Sequence, residues 1–533
     1  MDLGSALSIA SSGLNGIEYQ YSVVAQNVAN SSTTGYAAES ASVTSAVAGN
    51  QGAGVRIGKT VVNVSPFLQS SLYTQNAKVS ALTSSSNSLA AVASVQGSTS
   101  ATSGNTQTLS DELGNVQSAL TSLTSTPLDS SAQTAVITAA TSLTDTIHTL
   151  ASTYTQQRQT AENTIVSTVS TINQNLTQIG QLSKQIMGLQ AIGSDTSSLE
   201  NSRLQVMSDL SSELGVKFTA TSKGDMIVTT EDGTLLPTRP DQIDLNNNTQ
   251  TLPSNTWPLS ATNGGTANTT ITDSMYYKAG DPANSAIAGI TVADGTTNIS
   301  TTDITSHLTS GTLGANITLR DTTYPTMQAQ LDSFSATLIN RFNNAGMPLF
   351  TNGTDVDSSG AAQTPTPQSY NPTQTTPNGI VSLSSVISVS NSYATTPSQL
   401  APDGSISTIT KVLSTTFGTS SDDVDNGGTL AAPTTGLGPS GTLQAGYNGK
   451  QGLVALATSL TSAQGAVIGT ASTNLTYATA VQTTINAKVT NVSGVNVNNE
   501  MAKIVALQNA YTANAKIISS VQTMFSALLN AIN

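Results

Sequence analysis

The hexad Asp355-Val356-Asp357-Ser358-Ser359-Gly360 opens like a calcium loop, with oxygen ligands at alternate positions and glycine at the sixth. Its twelfth position is Thr366, where a bidentate glutamate is needed, and no helical pattern flanks it. Asp423-Val424-Asp425-Asn426-Gly427-Gly428 fails in the same way, with Thr434 at the twelfth place. Both read as solvated turns. Gly52-Ala53-Gly54-Val55 resembles part of a phosphate-binding loop, but a strand from Val55 to Val64 is expected after it, so the amides of a helix start are missing. His148 and His307 each have an aspartate at helical spacing, Asp145 and Asp303, and read as exposed local pairs. The sequons Asn175-Leu176-Thr177 and Asn298-Ile299-Ser300 arise easily in a chain this rich in Ser, Thr and Asn. The residues assign no catalytic group, no cofactor and no metal.

Composition narrows the classes further. Lys+Arg 17 against Asp+Glu 30 gives 17 − 30 = −13, and charged residues make up 9% of the 533, against about 25% in an ordinary soluble domain. Such a chain has no basic blocks with which to neutralise phosphates, which excludes a nucleic-acid partner. Cys 0 excludes disulfides and thiolate chemistry, and His 2 leaves too few imidazoles for a triad or a zinc site. Asp2 stands where a secretory leader has its basic region, so no cleaved signal peptide is expected. No run of about 18 apolar residues appears, so no membrane span is expected. The length suggests three to four domains at roughly 150 residues each.

What organises the chain is a pair of heptad seams at its two ends. Apolar residues fall at Leu3, Leu7, Ala10, Leu14, Ile17, Tyr21, Val24 and Val28, in alternating steps of four and three. The other end repeats the pattern with Ile504, Leu507, Tyr511, Asn514, Ile518, Val521, Phe525, Leu528 and Ile532. Asn514 is the polar interruption, of the kind that fixes register. Either helix alone would expose its stripe, since most helix stability comes from packing the apolar face. These residues are the candidate assembly interface, pairing the two ends with each other and then with neighbouring subunits.

Turn chemistry follows the first seam and precedes the second. Asn30 and Gly35 can supply left-handed positions after the first helix, and Ser493-Gly494-Val495-Asn496 turns the chain just before the last. Ser12-Gly13-Leu14, Gln26-Asn27-Val28-Ala29-Asn30 and Thr34-Gly35-Tyr36 resemble the N-terminal signature shared by bacterial flagellar rod, hook and hook-associated proteins. Ser493-Gly494-Val495-Asn496, Glu500, Gln508-Asn509-Ala510-Tyr511 and Ala513-Asn514-Ala515-Lys516 are similar to its C-terminal counterpart. In that family the terminal helices form a coiled coil lining the inside of a tube.

The middle reads as α, then β, then α. From Gln75 to Gly215 the pattern is helical, with Ile165, Val169, Ile172, Leu176, Ile179 and Ile186 at heptad spacing and Pro127 marking a break. Val216-Lys217-Phe218 and Met226 to Thr230, closed by Asp232-Gly233, read as a hairpin. Thr-rich sequence punctuated by Gly and Pro continues to Gly311, a helix is expected at Tyr324 to Asn343, and a long one at Gly452 to Val489. Pro348 to Asn378 and Gly418 to Asn448 have loop composition. The expected fold class is α+β and multidomain: a coiled-coil helix in 1–36, bundle with a short β segment in 37–214, an outer mainly-β region in 215–448, bundle in 449–492, and a coiled-coil helix in 493–533.

A long helical bundle between the signatures resembles the first hook-associated protein family, which sits at the hook–filament junction. Leu199-Glu200-Asn201-Ser202-Arg203 and Gly311-Thr312-Leu313-Gly314 through Leu319-Arg320-Asp321 are similar to segments typical of it. The chain departs from the family where Asn201 and Leu204 replace a usual acidic residue. The resemblance implies a structural subunit, not an enzyme, exported unfolded through the flagellar channel to an extracellular position and polymerised through its ends. It implies four partners: the hook protein, a second junction protein, copies of itself in a ring, and an export chaperone on the C-terminal helix. Another axial protein (hook protein or a flagellin-like subunit) and a hydrolase displayed on the flagellum are the alternative readings.

Overall fold

One helix of 62 residues, Ser130–Ala191 (α4), ties the molecule together. Asp129 caps it by accepting from the Ser131 amide (2.8 Å), and Pro127 lies in the turn that joins it to α3 (Leu109–Ser125). At about 1.5 Å per residue it extends roughly 90 Å, long enough to serve two cores. Val136, Leu143, Ile147, Leu150 and Tyr154 enter one hydrophobic cluster; Ile165, Val169, Ile172, Leu176 and Ile179 enter the other. The computed structural model describes residues 3–33, 35–48, 51–97, 108–243, 251–261, 270–281, 285–293, 300–353, 380–417 and 431–532.

The first cluster is all-helical at its centre. Helix α6 (Gly311–Thr318) runs through a π-turn at Leu319–Thr323 into α7 (Tyr324–Asn344), so 311–344 is one helical rod. Phe334, Leu338 and Phe342 on α7 are fully buried against α4 and the later segments, and Phe342 meets Phe350 edge-on at 4.9 Å. The region expected to be mainly β therefore divides: strands occupy 216–303, while 311–344 is helix sunk in the bundle core. The sequence reading caught α7 but not α6, because Gly311 and Gly314 mask the periodicity. Leu437 and Ala445 are buried too, so 431–448 packs on this core despite its loop composition.

The second cluster joins α4 and α5 (Ser197–Glu213) to small antiparallel sheets. Strands β5 (Val216–Ala220), β6 (Met226–Thr230) and β7 (Leu235–Leu236) form one meander; Asp232-Gly233 turns β6 into β7, whereas residues 221–225 close the β5–β6 hairpin. Strands β8 (Leu259–Ser260), β9 (Thr291–Ala293) and β10 (Ser300–Asp303) form the other.

The first and the last helix stand apart from both clusters. Helix α1 (Leu3–Ala29) carries a hairpin of β2 (Val43–Ala48) and β3 (Gln51–Ile57), with Gly52, Ala53 and Gly54 inside β3. Strands β1 (Glu39–Ser40) and β4 (Val61–Val62) pair beneath it, so the single strand expected from Val55 to Val64 is two pieces. Helix α2 (Pro66–Gln96) packs antiparallel on a 41-residue helix, Leu453–Ser493 (α10 here, after the short α8, Asn391–Thr395, and α9, Ser407–Lys411). The last helix is α11 (Val497–Ile532). By length and composition alone, Leu453–Ala531 contains a window apolar enough to cross a membrane, although Ser, Thr, Asn and Gln interrupt its apolar residues. In the structure these helices are paired with α2 and α1.

Candidate assembly interface

The two seams meet. Helices α1 and α11 run antiparallel, with Asn27 at the level of Glu500 and Gly13 at the level of Asn514. Ala10, Ile17, Val24 and Val521 are buried, and Leu3, Leu7, Leu14, Val28, Ile504, Leu507, Asn514 and Ile518 are half-buried. Tyr21, Tyr511, Phe525 and Leu528 remain exposed, Leu528 by 52%. Each helix thus covers one flank of the other and leaves a second apolar flank open. Met524 and Leu529 widen that flank on α11, and Val505 and Ile517 extend it. The side chain of Ile532 lies outside the described residues.

The motif residues hold the base of this pair. Asn27 Nδ2 donates to the Glu39 carbonyl (2.8 Å) and to Glu500 Oε2 (3.3 Å). Its Oδ1 accepts from the Glu39 amide (2.8 Å) and from the Tyr36 hydroxyl (3.1 Å). Burial, with Glu39 and Glu500 close by, pushes the Tyr36 hydroxyl well above its ordinary range. Lys503 Nζ donates to the other Glu500 oxygen at 2.6 Å. Asn27, Glu39 and Glu500 are each at most 5% exposed, so every bond here replaces one to water. Asn201 extends the network: its Oδ1 accepts from the Ala37 amide, and its Nδ2 donates to the Ala37 carbonyl and to Glu39 Oε1. An aspartate at 201 would set its charge against Glu39, which gives a physical reason for the amide.

Ser12 and Gly13 act on opposite sides of α1. The Val55 amide donates to Ser12 Oγ (3.2 Å), anchoring the hairpin where Gly54, at φ +101°, passes too close for any side chain. A Cβ on Gly13 would come within 3.3 Å of Asn514 Oδ1. Gly35 has φ +79°, as expected, but Asn30 does not take a left-handed conformation; its Nδ2 donates to the Gln26 carbonyl instead. Thr34 lies outside the described residues. At the second turn the Ala38 amide donates to the Ser493 carbonyl (2.7 Å), the Gly494 amide donates to Thr490, and Asn496 Oδ1 caps α11 by accepting from the Asn499 amide. Val495 is half-buried between them. Glu39 was missed in the sequence, where no periodicity singles it out.

Residues 355–360, 366, 423–428 and 298 lie outside the described residues. His148 Nε2 bonds the Ile387 carbonyl (2.7 Å) and His307 faces Asp232, so neither uses the aspartate on its own segment. Asp303 accepts from Tyr277 and Thr305. The Thr177 hydroxyl of the Asn175 sequon is buried in mid-helix. Among the described residues no three His, Cys, Asp or Glu side chains group as metal ligands.

Residues 98–361 match the model of the flagellar hook-associated protein FlgK helical domain, and residues 488–531 match that of the flagellar basal body rod FlgEFG protein C-terminal region. No curated protein matches the chain. Among solved structures, the flagellar hook junction protein FlgK from Burkholderia pseudomallei aligns at 21% identity and a TM-score of 0.40. That alignment covers 57% of this chain and 46% of that one, so it spans less than half of the relative. A rod-type C-terminal helix joined to a long helical bundle defines a structural protein of the bacterial flagellum. Within that class, the chain carries the helical domain of the flagellar hook-associated protein FlgK family.

Proposed function

We propose that this chain is the structural subunit between hook and filament, polymerised through α1 and α11. The observation that carries the reading is the uncovered flank of the coiled coil: Tyr511, Phe525 and Leu528 keep to the heptad yet face water in the single chain. A seam that one partner leaves half open is suited to neighbours that close it. The candidate contacts are the seam residues from Leu3 to Val28 and from Ile504 to Leu528, with copies of the same chain in a ring.

The hook protein below and a second junction protein above are the further partners, with an export chaperone on α11 before secretion. Terminal helices this sparsely packed suit delayed ordering, in which docking supplies the contacts that offset the entropy of folding. Passage through a channel as an unfolded chain fits a sequence with no cysteine. The role is mechanical rather than catalytic.

The test is a clean deletion, with electron microscopy of the flagella and a blot of the medium for flagellin. Bare hooks with flagellin free outside are expected. Intact filaments would overturn the junction role and leave another axial position as the reading.

A further inference from the structure

We propose that Asn27 with Glu500, and Gly13 with Asn514, form a register code that selects one alignment of the terminal helices from several nearly equivalent ones. Both seams repeat their apolar residues in steps of three and four. Sliding α1 along α11 by one heptad, about 10 Å, would therefore set apolar again against apolar. Apolar packing alone does not choose.

Charge would choose wrongly. Glu18 is the one charged residue of α1, while α11 carries Glu500, Lys503 and Lys516. In the observed alignment Glu18 stands in a groove with Gln508 and Thr512, away from either lysine. A slip of one heptad toward the far end of α11 would bring Glu18 to the level of Lys516. Beyond the Ala38–Ser493 bond at the base of the pair, something within the helices themselves must hold the observed register.

The polar marks do so, and their spacing agrees on both helices. On α1 the marks are 14 residues apart (27 − 13), and on α11 also 14 (514 − 500). One alignment satisfies both at once. Slipped by a heptad, Asn27 would face Leu507 and Glu500 would pass beyond the end of α1. Asn27 would lose Glu500 and keep only Glu39 and Tyr36, and the Glu500 carboxylate, 4% exposed, would keep only Lys503. Asn514 would move from the gap at Gly13 to the level of Gln20, and Gly13 would face Val521, losing the fit that a missing Cβ allows. Register also decides which part of α11 overhangs α1: Leu3 falls near Met524, leaving Phe525 and Leu528 beyond it. A slip would cover that overhang and alter the open flank.

The absence of cysteine makes this directly measurable in the full chain. Gln20→Cys with Leu507→Cys reports the observed alignment, being one heptad from both marks. Ala6→Cys with Leu528→Cys reports the slipped one and leaves all four marks intact. Under mild oxidation the first pair should cross-link at least about tenfold more than the second. Asn27→Leu should lower that ratio about tenfold, through loss of a buried polar pair. Glu500→Leu removes the same contact while leaving the bonds of Asn27 to Glu39 and Tyr36 in place, and should do likewise. Leu14→Ala, which weakens the seam without touching a mark, should reduce both yields and preserve the ratio.

Equal yields in the parent chain, or a ratio unmoved by both Asn27→Leu and Glu500→Leu, would overturn the code. Trapping accumulates transient pairings, so termini that order late still report a ratio. A low total yield bears on delayed ordering; the ratio alone bears on register, and it holds wherever in the flagellum the chain sits.

Discussion

Arg320 and Glu162 form an ion pair at 2.7 Å with both side chains 1% exposed. Arg320 sits in the π-turn between α6 and α7, and Glu162 lies on α4 where the two cores meet. Asp321 holds the other edge of the guanidinium (2.7 Å), and the Arg320 carbonyl accepts from Arg158 Nε (2.8 Å). Arg158 also donates to the carbonyls of Thr272 and Met275, so one buried cluster fastens the loop after β8 to the bundle.

Removing Glu162 leaves Arg320 Nη1 with the Ala288 carbonyl (3.3 Å), while Asp321 still pairs the other edge. Glu162→Ala should destabilise the chain by about 1–3 kcal/mol, the cost typical of a buried charged donor that loses its carboxylate. Urea unfolding of parent and variant measures it. A loss below about 1 kcal/mol would mean that Asp321 alone satisfies Arg320.

Asp332 governs a pH dependence. Its carboxylate accepts from the Ser384 amide and hydroxyl, the Ser382 amide and Gln328 Nε2, all within the core. Burial pushes its pKa up to about 7, with the nearby Asp273 adding to the shift and the Ser384 bonds opposing it. Because the folded value lies above the unfolded one of 3.8, this group favours the fold when protonated. Its contribution fades as pH rises from about 4 through about 7, by on the order of 4 kcal/mol at most. The urea midpoint of the parent should fall between pH 5 and 7.5, and that of Asp332→Asn should fall much less. Parallel slopes would show that Asp332 is ionised throughout.

The seams were legible because a heptad repeats its signal many times over. The long helices at 130–191 and 453–493 were legible for the same reason. Helix α6 was not, since two glycines and eight residues give too little period to read. The motif residues could be named from the sequence but not assigned partners. Asn27 lies 473 residues from Glu500, and nothing local in either segment points to the other. Glu39 escaped notice altogether: a lone acidic residue in a two-residue strand looks solvated until Asn27, Ser197 and Asn201 surround it. Both histidines found partners far along the chain, where helical spacing has no reach.

Gln464 is the polar hub of the bundle core. Its Oε1 accepts from the Tyr154 hydroxyl (2.7 Å) and from Gln96 Nε2 (2.9 Å), and its Nε2 donates to Gln330 Oε1 (3.0 Å). Helices α2, α4, α7 and α10 thereby share one side chain that is 1% exposed. Gln464→Leu keeps the volume but orphans the Tyr154 hydroxyl and two amides. A loss of about 2–4 kcal/mol is expected, at roughly 1–3 kcal/mol for each group left unsatisfied and not relieved by water. Thermal unfolding followed by circular dichroism checks it, and an unchanged midpoint would mean that the glutamines re-pair among themselves.

Two aspartate substitutions in α11 separate pairing within the chain from contact between chains. Val521 is 4% exposed against α1, whereas Leu528 is 52% exposed on the open flank. Val521→Asp buries a charge in the seam, so the termini of the isolated subunit should lose helical signal and become sensitive to protease. Leu528→Asp leaves the isolated subunit as stable as the parent, within about 0.5 kcal/mol, because its side chain already meets water. If copies of the chain close the open flank, Leu528→Asp should nevertheless fail to restore filaments to the deletion strain, since assembly would then desolvate the carboxylate. Secretion of the variant is checked by blotting the medium, so that a failure of export is not mistaken for a failure of docking. Filaments of normal length on a secreted Leu528→Asp subunit would place the contact between neighbours on another face.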